Sequence, residues 1–223
     1  MRLLHGSNRI IKEPQFGYGK KYNDYGLGFY CTENIEMANE WSVEADRDGI
    51  VNVYNLDLDN LTVLDLTNKD YNILEWLEIL LENRTFDIQT DFGYESINYI
   101  CENFKPEYET FDVIKGYRAD DSYFSFAQDF LNNNISLNTL KKAMQLGGLG
   151  EQIVLKSQKS FENIQFVESI NVESKIWFPR KEQRDKKARN DYRELRQKPW
   201  KKGEIYIMQI LDMEIKRDDA RLR

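Results

Sequence analysis

Apolar and polar residues alternate over Val51-Asn52-Val53-Tyr54-Asn55-Leu56-Asp57-Leu58, the period-two pattern of a strand with one buried face. Leu3-Leu4 opens a shorter strand ending at His5-Gly6-Ser7, and further strands are expected near residues 61–66, 111–117, 152–155 and 164–170. Residues 12–28 are rich in Gly, Tyr, Lys and Asn and read as a loop. Behind Thr32, which has N-cap chemistry, Glu33 and Glu36 fall where the helix dipole favours acids. Ile35, Ala38, Trp41 and Ala45 then recur at helical spacing. Residues 73–81 are apolar almost all round, which predicts a helix at the centre of a helical lobe. Helices follow over 93–104, with Tyr94, Ile97, Ile100 and Cys101 on one face, over 122–132, and over 137–146 behind the cap Ser136. A charged helix is expected over 180–198, followed by an amphipathic tail from 204 to 217. This is an α+β layout rather than the regular alternation of a doubly wound sheet. It divides into a domain at 1–172, with a helical insertion at about 67–105, and a basic helical extension at 173–223 packed on or beside it.

The chain has 223 residues, 41% apolar and 31% charged, enough for a folded core. One histidine (His5) and two distant cysteines (Cys31, Cys101) cannot build a zinc site of the usual ligands, so no metal is expected. A Ser-His-Asp triad would have to use His5, and no G-x-S-x-G is present. Two unpaired-looking cysteines fit a reducing cytoplasm. No stretch approaches the roughly 20 apolar residues of a membrane helix, and no signal peptide is expected at Met-Arg-Leu-Leu-His. The net charge of −7 argues against a generic nucleic-acid binder. It hides an asymmetry: residues 175–202 carry 12 Lys or Arg against 4 Asp or Glu, leaving about −15 over the rest. The basic segment reads either as a solvated helix face or as a dock for an acidic partner, a nucleic acid or the acidic body itself.

Three stretches can carry chemistry. In Leu4-His5-Gly6-Ser7 a lone imidazole at a strand end is either structural or functional; the following glycine permits close backbone approach by a ligand, and Ser7 adds a hydroxyl. In Tyr25-Gly26-Leu27-Gly28-Phe29-Tyr30-Cys31-Thr32 two glycines mark an irregular turn, and no third glycine completes a phosphate-binding fingerprint. In Gly147-Gly148-Leu149-Gly150-Glu151-Gln152 a carboxylate and an amide sit at the mouth of an apolar strand, an arrangement that also suits a strand end facing water.

In that order, the three stretches resemble the ADP-ribosyltransferase superfamily, in its diphtheria-toxin and poly(ADP-ribose) polymerase-like branch with an H-Y-[E/D/Q] triad. Residues 26–41 are similar to the polymerase pattern of G-x-G, an aromatic pair and a helix ending on an aromatic. More narrowly, Gly116-Tyr117-Arg118-Ala119-Asp120-Asp121-Ser122-Tyr123 and Gly150-Glu151-Gln152-Ile153-Val154-Leu155-Lys156-Ser157 look like a bacterial family catalogued as domain of unknown function 3990. The resemblance covers most of residues 3–170. It implies a split mixed β-sheet with inserted helices that holds NAD as co-substrate.

Carried over, His5 would bond a ribose or support the strand that does. Gly6 would hold the nicotinamide carboxamide through its backbone, Ser7 would add a hydroxyl, and Tyr30 and Trp41 would stack on the cationic ring. Gly28 and Thr32 belong to the same cofactor turn. Either Glu151 or Gln152 would be the third triad member, but they face opposite sides of a strand, so only one can enter the cleft. Arg118 would meet an NAD phosphate, and Asp120, Asp121 and Tyr123 are candidate substrate contacts, with Asp120 or Asp121 equally a helix cap. The implied activity is ADP-ribose transfer from NAD to a macromolecule, first of all a protein, by a cytoplasmic bacterial toxin with an antitoxin partner, or by an effector. The other readings are a non-catalytic NAD-binding or partner-binding module, transfer to DNA or RNA through residues 175–202, and NAD glycohydrolysis.

Overall fold

The computed structural model describes residues 1–119, 121–146 and 150–222, with the backbone alone at 121–123. Among the described residues, seven strands form two sheets. Strands β1 (Arg2–Ser7), β3 (Gly49–Leu56) and β7 (Ile164–Val172) make an antiparallel sheet in the order β1-β3-β7. The second sheet, in the order β2-β6-β5-β4, joins β2 (Phe29–Cys31), β6 (Glu151–Leu155), β5 (Val113–Tyr117) and β4 (Val63–Asp65); only its β4–β5 pair is parallel. The α+β class is as the pattern predicts.

The bridge of Leu4 with Thr32 ties the sheets together, through Leu4 N–H to Thr32 O at 2.8 Å and Thr32 N–H to Leu4 O at 2.9 Å. On the other side of β1, Met1 and Leu56 exchange bonds, so odd-numbered residues of β1 face β3 and even-numbered ones face β2. Gly6 therefore turns its N–H and C=O toward β2. There the strands part: the carbonyl of Tyr30, which would oppose Gly6, takes the His5 side chain instead, at 2.7 Å. The sheets split where the imidazole enters.

Helix α1 (Ile35–Ser42) covers the split. Its cap is Asn34, whose Oδ1 accepts from Glu36 N–H and Met37 N–H; Thr32 does not cap it, because Thr32 is held in the bridge. Met37, Ala38 and Ser42 are buried, Trp41 is half-buried, and the expected stripe members Ile35 and Ala45 are exposed because the helix starts later and ends earlier than the pattern suggests. Gly6 lies directly beneath. A β-carbon there would come within 2.3 Å of Ala38 O and 2.8 Å of Ser42 N, both backbone atoms that cannot swing aside. Gly6→Ala is expected to cost about 1–3 kcal/mol through overpacking, read as a lower urea midpoint with unchanged slope. A wild-type midpoint would show that α1 does not seat on Gly6.

Beside the sheets stand α2 (Ile73–Asn83), α3 (Asp91–Asn103), α4 (Asp121–Leu131), α5 (Leu137–Ala143) and the short α6 (Gln158–Glu162). As its all-round apolar sequence predicts, α2 is buried from Ile73 to Leu80, with Trp76 and Leu77 at the centre of the largest apolar cluster. Fully burying each such side chain is worth about 1.5–3 kcal/mol. Asn72 and Glu75 form a capping box at its start. In α3 the expected face shifts: Gly93, Ser96 and Ile100 are buried, while Tyr94 is exposed.

Helix α7 (Ser174–Arg196) begins six residues before the expected start and runs through Pro179. Trp177 and Phe178 pack on the cluster of Leu4, Ala38, Val51 and Val53, which holds this first turn helical despite the proline. Farther along, Ala188 and Tyr192 join the main core, Tyr192 stacking on Phe126 at 3.7 Å and donating to Asp129 at 2.6 Å. After α8 (Ile207–Asp212), Arg217 pairs with the buried Glu75 at 2.6 Å. The C-terminal basic segment thus packs into the same core as the sheets and the helical lobe.

Candidate functional site

The split between β1 and β2 opens into a cleft of about 1410 Å³, above the roughly 300–1,000 Å³ of ordinary small-molecule sites. His5, Ser7, Gly28, Tyr30, Trp41, Arg118 and Gln152 all line it, although they come from β1, the glycine turn, α1, the end of β5 and β6.

His5 contacts the Tyr30 carbonyl through Nδ1, and a carbonyl oxygen only accepts, so Nδ1 carries the proton and Nε2 is left as an acceptor. Burial lowers its pKa and outweighs the carbonyl bond, which keeps the imidazole neutral at pH 7. Phe29 stacks on the ring at 4.4 Å. The Tyr30 hydroxyl donates to Gly26 O at 2.6 Å and accepts from Tyr25 N–H at 3.0 Å. Burial raises its pKa, so Tyr30 offers the cleft a ring rather than a proton. Gly26 has φ +71, the left-handed turn its position in the G-x-G stretch implies.

Ser7 is engaged as a loop anchor, donating to Arg9 O at 2.6 Å and accepting from Asn52 Nδ2 at 3.0 Å. Asn52, wholly buried on β3, also donates to Arg9 O and accepts from Ile11 N–H, and so holds the chain across the cleft mouth. The indole N–H of Trp41 is buried with no hydrogen-bond partner among the described residues, and the Arg118 guanidinium sits 4.9 Å from its ring centre.

Strand register separates Glu151 from Gln152. Pairing of Gly116 with Gln152 and Tyr117 with Glu151 turns Gln152 inward, 4% exposed, and Glu151 outward, where it pairs with Lys115 at 2.7 Å. Gln152 Nε2 donates to Asp24 Oδ2 at 2.8 Å and Tyr117 O at 3.2 Å, which leaves its carbonyl oxygen to accept from a ligand. Thr32 and Gly6 are not on the cleft wall; Thr32 donates to Glu151 O at 3.1 Å and so fixes the start of β6. Asp120 and the side chains of Asp121 and Tyr123 lie outside the described residues, as do Gly147, Gly148 and Leu149.

The buried carboxylate of the cleft is Asp24, which sequence reasoning missed. It accepts from Arg84 at 3.1 Å, Ala119 N–H at 2.9 Å and Gln152. Burial raises its pKa, opposed by the Ala119 N–H, Gln152 and the charges of Arg84 and Arg118. Its signal was faint but present: it is the one acid between Glu13 and Glu33.

Residues 1–166 match the model of a family described as a protein of unknown function (DUF3990). The chain belongs to that family. No curated protein and no solved structure matches it. The strands and turn that build the split all fall within the DUF3990 match, whereas α7 lies beyond it and still contributes Phe178, Lys181 and Arg184 to the cleft. Lys and Arg outnumber Asp and Glu eight to four in the lining, so the cleft is locally basic in a chain of net charge −7. Among the described residues no helix is long and apolar enough to cross a membrane.

Proposed function

We propose that this chain is an ADP-ribosyltransferase that takes NAD as substrate, with the split mixed sheet of that superfamily. The observation that carries the reading is the parting of β1 and β2 after the Leu4–Thr32 bridge, which turns the Gly6 N–H and C=O toward the β2 side at the edge of the cleft that His5, Ser7 and Tyr30 line. A donor and an acceptor on one residue suit a primary carboxamide, and the Tyr30 ring suits the flat cationic ring that bears it. His5 Nε2 and the Gln152 carbonyl oxygen are the two acceptors for ribose hydroxyls.

The reaction breaks the bond between ribose C1′ and the nicotinamide nitrogen, whose electron pair leaves with neutral nicotinamide. An acceptor nucleophile bonds to C1′ and releases its proton. The transition state is oxocarbenium-like, as in glycoside hydrolysis. Fixed dipoles and charge near the ribose stabilise it; Gln152, held by Asp24, fills that role in place of Glu151. The acceptor is a macromolecule, first of all a protein, and a bacterial toxin with its antitoxin, or an effector, is the setting that goes with this activity.

Incubating the purified chain with labelled NAD and bacterial lysate tests the reading. Labelled protein is expected, reduced about 10²-fold in Gln152→Ala, the scale for losing one transition-state contact, and also reduced in Tyr30→Ala. Glu151→Ala is expected to act as wild type because its carboxylate faces away. One observation favours a second reading, a binding module: the strand position facing the cleft is an amide, not a carboxylate. NAD bound without nicotinamide release would establish that module and reject the transferase.

A further inference from the structure

The basic segment of unassigned role supplies a wall of the cleft. Phe178, Lys181 and Arg184 follow one another at three-residue spacing along one side of α7, and farther along that side Ala188 and Tyr192 enter the core. The face is pinned by Arg184, whose Nε donates to the buried Glu40 of α1 at 2.6 Å. Lys181 is therefore held half-buried on the cleft wall, which Arg118, at the end of β5, also lines.

Among the described residues, the acids whose charges act on Lys181 are engaged elsewhere: Glu40 by Arg184, and Glu44 by Arg47. Its surroundings are unfavourable to its own charge. Burial, then the Arg118 charge, and also Arg184, lower the pKa of its ammonium group, with Glu40 and Glu44 opposing. Asp185 and Glu182 line the same wall, but Asp185 pairs with Arg189 at 2.9 Å and Glu182 is exposed. A half-buried cation with two others near it on a cleft wall is stabilised by an anion placed among them. A phosphate fits, because an ammonium supplies a point charge and a guanidinium a planar fork.

We propose that Lys181 and Arg118 form a phosphate-binding site on the α7 wall, taking the diphosphate of a nucleotide, so that a helix beyond the DUF3990 match completes the ligand site. The diphosphate is favoured over a nucleic-acid backbone because the cations point into a cleft rather than along the surface of an acidic protein. That the nucleotide is NAD rests on the reading above; the anion site itself does not.

Titration calorimetry with inorganic pyrophosphate and, separately, with NAD tests it. Wild type is expected to bind both. Lys181→Ala is expected to weaken each about tenfold, the effect of losing one charge-assisted hydrogen bond, with Lys181→Arg recovering most of the loss. Lys187→Ala, on the exposed side of α7 and paired with Asp191, serves as control and should bind as wild type. Circular dichroism melts show whether each variant is folded. Pyrophosphate binding that is the same in wild type and folded Lys181→Ala overturns the anion site. NAD bound and turned over equally by both also overturns it, while leaving the transferase reading intact. Lys181-dependent pyrophosphate binding without any binding of NAD supports the site and rejects NAD as its ligand.

Discussion

Replacing Asp24 by alanine is expected to destabilise the fold by about 3–5 kcal/mol, the range for stripping one partner from a buried ion pair. Asp24 is 6% exposed and answers three donors at once: the Arg84 guanidinium, the Ala119 backbone N–H and the Gln152 amide. Alanine leaves all three without their acceptor, and a buried unsatisfied donor costs about 1–3 kcal/mol. Arg84 retains 26% of its side-chain exposure, so water recovers part of its loss and the lower half of the range applies. At about 2–4 °C per kcal/mol for a chain of this size, the melting temperature should drop by roughly 6–15 °C. Asp24→Asn keeps one accepting oxygen and is expected to fall between wild type and alanine. A melt of Asp24→Ala superimposable on wild type would mean that the cluster contributes nothing to the fold.

Glu78→Gln is expected to stabilise the protein, and only above mildly acidic pH. Glu78 is fully buried on α2, one turn before Glu82. Burial, and next the Glu82 charge, push its carboxyl up to about 8; Glu109 adds to the shift and Lys105 opposes it, and the half-buried Cys101 thiol faces the same cluster. Lys105 offers little relief because Glu82 and Glu109 both hold it. In the unfolded chain Glu78 titrates near about 4.3. Between these two values the folded state keeps a proton that the unfolded state releases, so stability falls as pH rises. The slope is at most about 1.36 kcal/mol per unit, which accumulates to an order of 4–5 kcal/mol by pH 8. Glutamine carries no such penalty. Wild type and variant should coincide near pH 4, diverge through neutrality and run parallel above pH 8, as read from urea midpoints across pH. Parallel curves from pH 4 to 9 would reject a protonated Glu78.

Much of the fold was legible because it depends on neighbours in sequence. The run Leu74, Trp76, Leu77, Ile79, Leu80 predicts a buried helix, and α2 is one. Ser136 was expected to cap a helix, and its hydroxyl accepts from Thr139 N–H at 3.2 Å. Thr32 misled because its cap chemistry is the same whether it begins a helix or ends a strand; pairing with Leu4, 28 positions away, decides for the strand and passes the cap to Asn34. The helix expected from Arg180 starts at Ser174, because the packing of Trp177 and Phe178 on distant strands carries it through Pro179.

The candidate site divides the same way. The sequence alone brings His5, Tyr30, Trp41, Arg118 and the Glu151-Gln152 pair into view, since each sits in a short stretch of distinctive chemistry, and it shows a basic segment on an acidic chain. Tertiary structure decides which of the pair enters the cleft, because strand phase follows from the pairing of Gly116 with Gln152 and not from local alternation. It also brings Asp24, from a loop without periodicity, against Gln152, 128 positions on. And it turns the basic segment into a cleft wall, since Ala188 and Tyr192 entering the core fix where the charged residues one and two turns earlier on the same side come to lie. Local propensity is a property of adjacent residues; the burial and pairing of charge are properties of whatever the fold brings alongside.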